Sequence, residues 1–172
     1  MIHIFRKILI GLSLGITCAP SAFAHVVFNA DTAKAGDFHT AQMRITHGCG
    51  GNPTTSITVT IPEGVTRVTP RALTGWTVEI EMRKLDTPVM LHGFEEDETV
   101  GSLTWSGGSF PDHAYEQFEF RMMTPKAEGQ VLRFPIHQKC TDGEIIWDDI
   151  PEPGQNPYEL DEPAPFFTVT PN

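Results

Sequence analysis

The chain has 172 residues, 40% of them apolar, with 12 Lys and Arg against 22 Asp and Glu, a formal net charge of −10. That is enough chain for one domain with a packed core. The excess of carboxylates argues against nucleic acid or an anionic membrane surface as partner, because phosphates are held by a basic face.

Met1 to Ala24 reads as an export leader. Arg6 and Lys7 form a basic start, Ile8 to Ile16 is an apolar run, and Ala22-Phe23-Ala24 is a small-x-small cleavage signal. The run falls short of the ~20 apolar residues that span a bilayer, which argues against a retained anchor. Cys18 lacks the leucine and small residues that precede a lipidated cysteine. Removing 24 of 172 residues leaves a mature domain of residues 25–172, 148 in number. Its balance becomes 10 basic against 22 acidic residues, or −12, since the leader holds two basic and no acidic side chains. The expected product is exported to the periplasm and has no membrane span after cleavage.

Two cysteines remain, Cys49 and Cys140. In an oxidising compartment an even pair is most simply a disulfide. It would close a 91-residue loop and contribute up to about 4–5 kcal/mol on the chain-entropy model. The rival is a thiolate metal site, which two isolated cysteines without C-x-x-C spacing support poorly.

Periodicity points to strands nearly throughout: Ile57, Val59 and Ile61 alternate with polar residues. Trp76, Val78, Ile80 and Met82 repeat the pattern, then Leu103/Trp105 and Phe118/Phe120/Met122. Leu132/Phe134/Ile136 and Phe167/Val169 complete it. Turn signals separate these runs, among them Gly50-Gly51-Asn52-Pro53, Pro62-Glu63-Gly64, Gly107-Gly108 and Asp142-Gly143. No long 3.6-residue period competes, so the expected class is all-β, an antiparallel sandwich or barrel. Glu95 to Glu98 is expected to be a solvated loop tip, and the proline- and acid-rich Asp148 to Pro165 an extended surface segment.

Cleavage after Ala24 would make His25 the first residue. A terminal histidine offers two nitrogen donors, the α-amine and imidazole Nδ1, which close a small chelate ring on one metal ion. An ordinary amine and imidazole titrate at about 8 and 6.5, so both give up a proton to a cation cheaply at neutral pH. Such donors suit Cu(II), the tightest binder of the divalent series.

The mature chain resembles the YcnI-like copper-binding domains of bacterial envelopes. The likeness begins at His25-Val26-Val27-Phe28-Asn29 and continues through Thr46-His47-Gly48-Cys49-Gly50-Gly51-Asn52-Pro53-Thr54-Thr55. It runs on through Ile61-Pro62-Glu63-Gly64-Val65, Gly75-Trp76, Thr104-Trp105-Ser106-Gly107-Gly108 and Pro111-Asp112. Tyr115-Glu116-Gln117-Phe118, Phe134-Pro135, Gln138-Lys139-Cys140, Ile146-Trp147 and Pro163-Ala164-Pro165 complete it. The order and spacing of these pieces carry the resemblance, since no single one is specific.

The resemblance implies an immunoglobulin-like or cupredoxin-like β-sandwich holding one Cu(II) in a histidine brace. In that family the terminal His supplies amine and imidazole, a carboxylate from the Y-x-E-F strand approaches the metal, and a Trp lies beside it. These positions fall on His25, Gln117 and Trp147. Gln117 is a departure, because an amide is a weaker donor than a carboxylate. Gln117 through its carbonyl, Glu119, Glu116 or water could take that place. Glu119 shares the face of Gln117 when Phe118 and Phe120 face the core, so it is preferred over Glu116. An ordinary cross-strand ion pair is the competing role for Glu119.

Trp76 and Trp105 read as core. His47, beside the cysteine, is a weaker ligand candidate. His39, His92, His113 and His137 lack metal-ligand spacing, and Met43, Met122 and Met123 read as packing. The implied role is non-catalytic copper trafficking or homeostasis, as chaperone or scavenger, with a periplasmic copper chaperone or membrane copper transporter as partner. A copper-dependent polysaccharide monooxygenase would want a second internal histidine at the metal. A structural sandwich without metal is the third possibility.

Overall fold

The computed structural model describes residues 25–91 and 93–172, with the side chain of Leu91 left aside. The expected leader and His92 lie outside the described residues. Among the described residues twelve strands follow in chain order. They are β1 (Val27–Phe28), β2 (Thr32–Lys34), β3 (Phe38–Ile45), β4 (Thr54–Thr60), β5 (Thr66–Pro70) and β6 (Thr77–Leu91). The rest are β7 (Phe94–Phe110), β8 (Glu116–Met123), β9 (Val131–Arg133), β10 (Ile136–Cys140), β11 (Glu144–Trp147) and β12 (Phe166–Thr170). A three-residue 3-10 turn, Pro157–Glu159, is the helical piece among the described residues.

The strands form three sheets, ordered β1-β3-β8-β5, β11-β10-β4-β7-β6 and β2-β12-β9. The nearly all-β class expected from the alternation is what the chain adopts. Burial follows parity: in β8, Phe118, Phe120 and Met122 are buried while Gln117, Glu119 and Arg121 are not. Burying one face of a pleated strand while wetting the other requires this period of two. Met43 and Met122 are fully buried, in keeping with packing roles.

Aromatic rings join the sheets. Phe28 of β1 meets Phe134 and Phe167 edge-on at centroid distances of 5.1 and 5.5 Å, which ties the first sheet to the third. Trp105 of β7 lies 5.5 Å from Phe118 of β8 and ties the first sheet to the second. Trp76 covers Phe118 from the other side at 5.1 Å, edge-on. Edge-on and tilted contacts are what ring quadrupoles favour. A Cβ at Gly108 would sit 2.2 Å from the Trp76 ring, so the lack of a side chain there is what admits the indole.

Three expectations change. Glu95 to Glu98 belong to β7 rather than to a loop, pairing across to Met90, Val89 and Lys84. They are solvated, and the last cross-strand pair before the reversal is Leu91 with Phe94. The run Leu132/Phe134/Ile136 is one pattern but two strands, β9 and β10, in different sheets, because Pro135 interrupts the ladder. Ile80 and Met82 follow Trp76 and Val78 in parity yet are half exposed, on β6 at the edge of its sheet.

Candidate functional site

The sequence around residues 45–54 builds one end of the sandwich. Cys49 and Cys140 are disulfide-bonded with their Cα atoms 5.9 Å apart, as the cysteine count predicts. Cys49 and Asn52 exchange backbone hydrogen bonds across the Gly50-Gly51 turn. A Cβ at Gly48 would fall 1.9 Å from the Asn52 carbonyl oxygen, so only glycine allows this closure. The Gly48 amide donates to Asp112 Oδ1 at 3.1 Å, which fastens the loop to the segment after β7.

Beneath that loop lies a fully buried amide, Gln138 of β10. Its Nε2 donates to the His47 carbonyl at 2.7 Å and to Thr54 Oγ1 at 2.8 Å. Its Oε1 accepts from the Trp147 indole at 3.0 Å. A buried amide is costly unless satisfied, and this one is satisfied on both sides. Trp147, at the end of β11, is buried, and its ring meets the His47 ring edge-on with centroids 5.8 Å apart. The indole nitrogen is thus committed to Gln138, and the ring presents itself to an imidazole.

His25 is two residues before β1 and half-buried. The register Val27↔Arg44 and Phe28↔Met43, continued backwards, puts His25 level with Thr46, next to His47. On its other side the His25 ring stacks on Tyr158, with centroids 6.4 Å apart and planes 22° from parallel. A small cleft beside it is lined by Phe28, Asp31, Tyr158, Pro163 and Ala164 among others. The Tyr158 backbone is set by Asn156, whose Oδ1 accepts from its amide at 3.1 Å. The loop carrying it closes at its base, where Asp149 pairs with Pro163 and Ala164 donates to the Asp149 carbonyl.

The other expected site residues sit elsewhere. Gln117 lies on the outer face of β8 opposite Arg44, which in turn faces Val27. Glu119 accepts from Gln42 Nε2 at 2.8 Å and pairs with Arg71 at 3.5 Å. Glu116 uses Oε1 to accept from the Gln117 amide. None of the three lines the cleft beside His25. No group of three or more His, Cys, Asp and Glu side chains converges as a metal site among the described residues.

The remaining imidazoles have other settings. His137 Nε2 contacts Glu144 at 2.7 Å. His39 packs against Phe167 at 5.1 Å, and burial pushes its pKa below the ordinary histidine value. His113 is exposed. Sequence reasoning did not single out Gln138, Tyr158 or Asp31, and only the parity of Gln138 with the core residue Ile136 hinted that it would be buried.

The comparisons with known proteins agree with this fold. A model described as "Domain of unknown function (DUF1775)" matches residues 25–169, starting at the histidine that cleavage would expose. No curated protein matches the chain. A crystal structure of an uncharacterized protein from Nocardia farcinica, described as revealing an immunoglobulin-like fold, is 26% identical with a TM-score of 0.64. The match covers 85% of this chain and 98% of that one. A putative membrane anchored protein from Corynebacterium diphtheriae is 9% identical, with a TM-score of 0.42 over 86% of this chain and 36% of that one. The chain belongs to the DUF1775 family, which is the family of the YcnI-like domains, and carries its fold on an immunoglobulin-like pattern.

Proposed function

We propose that the mature protein, beginning at His25, captures one Cu(II) through its α-amine and the imidazole of that residue. It acts non-catalytically in the periplasm as a copper chaperone or scavenger, exchanging the ion with another copper chaperone or a membrane transporter. The observation that carries this reading is the place of His25. The family match starts there, the first strand starts two residues later, and Tyr158 stacks on the ring. An imidazole held against an aromatic ring at the head of the fold needs little reordering to accept a metal, and preorganisation lowers the cost of binding.

The disulfide supports export, since such bonds persist in oxidising compartments. No helix among the described residues is long and apolar enough to cross a membrane. Trp147 serves as a wall of the site rather than a nitrogen donor, its indole N–H being used by Gln138.

The test compares three proteins: one starting at His25, one with a single glycine ahead of it, and His25→Ala. Copper titration with electron paramagnetic resonance should show one Cu(II) per chain for the first, and weak or no binding for the others. Equal binding by all three would sink the reading.

A further inference from the structure

We propose that the outer face of the first sheet, centred on Phe38, Arg67 and Arg121, is a docking surface for a carboxylate-rich polypeptide segment of a partner protein. It is separate from the copper reading and does not rest on it.

Residues 25–172 hold 10 basic against 22 acidic side chains, yet four of their six arginines gather at one sheet. Arg44, Arg67 and Arg121 lie on β3, β5 and β8, and Arg71 follows β5 directly. Register fixes the face. Thr40 pairs with Arg121, Gln42 with Glu119 and Arg44 with Gln117, while the alternate residues Ala41, Met43, Phe118 and Phe120 are buried. Cross-strand partners share a side of the sheet, so the first set points outward. Glu119 is the acidic strand residue of that parity, and Arg71 takes it at 3.5 Å. Among the described residues no carboxylate pairs with Arg44, Arg67 or Arg121. Asp37 is turned to the Phe38 amide at 2.7 Å. Glu96 and Glu98 line a cleft with Arg67 but form no ion pair with it.

Phe38, at the start of β3, is 39% exposed and forms the apolar centre. The Arg121 guanidinium carbon lies 3.8 Å from its ring centroid and that of Arg67 lies 5.9 Å away. Attraction to the ring holds each cation there, although the two like charges oppose one another. Arg67 reaches the ring through an uncommon backbone. Thr66 pairs with Met123 and Thr69 with Arg121, so two residues of β5 oppose one of β8 in a bulge. Arg67 opens that bulge at φ 52°, in the left-handed region that glycine ordinarily fills, and is the one non-glycine residue there among the described residues. The ladder would accept glycine at this point. What the bulge gains from arginine is a second guanidinium at Phe38.

The ligand chemistry follows from these groups. A guanidinium presents a planar fork of donors that matches a carboxylate, and an anion set between Arg67 and Arg121 relieves their repulsion. An exposed aromatic ring flanked by arginines has the composition of an interface anchor. Four strands spaced about 4.8 Å apart give a face about 15 Å wide, more than one small anion covers. A duplex or an anionic bilayer would also meet the acidic remainder of the chain and be repelled by it. A short acidic segment meets this face alone, and beyond about 8 Å the other charges are screened at physiological salt.

The probe is a synthetic peptide of glutamates with one central Phe, titrated at low salt into the protein starting at His25 and followed by NMR. The same peptide with Gln for Glu is the control. The Glu peptide should bind and shift signals on the outer face of β3, β5 and β8, and the Gln peptide should not. Arg121→Glu should weaken binding about tenfold or more, while Lys139→Glu, the same charge change on the second sheet, should alter it by less than about twofold. Arg67→Gly suits the backbone, so it should keep or raise the melting temperature and still weaken the peptide. No binding of the Glu peptide, equal losses in Arg121→Glu and Lys139→Glu, or unchanged binding by Arg67→Gly would overturn the proposal. Tighter binding of acetate, duplex DNA or phosphatidylserine vesicles than of the peptide would overturn the polypeptide assignment. So would a dimer of this chain that Arg121→Glu dissolves, since the face would then belong to a second copy.

Discussion

The end of the fold that carries the disulfide and the loop that meets His25 are made in different ways. On one side His47 and Trp147 are backed by a disulfide, a buried amide with three hydrogen bonds and a glycine that closes on a carbonyl. On the other, Tyr158 is 55% exposed and stands on a proline- and acid-rich loop set by a cap at Asn156 and closed at Asp149. One belongs to the core and moves only if the core does. The other is a surface loop whose local bonds open at little cost. The contrast is between a region that is fixed with the core and one that can open locally.

The largest expected effect tests the rigid end. Gln138→Leu leaves the Trp147 indole N–H, the Thr54 hydroxyl and the His47 carbonyl without their buried partner. Unfolding in denaturant should show a loss of about 2–4 kcal/mol, from buried groups costing about 1–3 kcal/mol each less the apolar gain. A loss under about 0.5 kcal/mol would mean that the network does not hold this end of the fold.

A middle effect concerns the core behind β1. Burial lowers the pKa of His39, so the unfolded chain takes up the proton first as pH falls. Its neutral form is compatible with full stability above about pH 6.5, and stability is lost as pH drops below that unfolded value. His39→Phe, which keeps a ring against Phe167, should show a smaller fall in melting temperature between pH 7 and 5.5 than the parent, measured calorimetrically. Parallel pH curves for the two would contradict this assignment.

The smallest effect is on the loop. Tyr158→Ala removes an exposed ring and should change stability by no more than about 0.5 kcal/mol. Its consequence should appear instead in faster release of Cu(II) to a chelator in stopped-flow. A destabilisation comparable to Gln138→Leu would erase the contrast between the two regions.

Alternation alone marked the class of fold and the inward faces of β4, β8 and β12, and the even count of cysteines outside the expected leader pointed to the pairing of Cys49 with Cys140. These were legible because period-two burial and a lone even pair are local properties of the chain. Sheet membership was not: Leu132 and Ile136 look like one strand, and only tertiary pairing sends them to different sheets. Nor could Gln138 be recognised as the residue that joins His47, Thr54 and Trp147, because those partners lie 91, 84 and 9 positions away. The sequence by itself determined which residue types were available to a metal and which strands had a buried face. Tertiary structure decided that the Tyr158 ring stands against His25 and that Gln138 joins His47 to Trp147, because hydrogen bonds and ring contacts depend on positions a few ångströms apart that chain spacing does not encode.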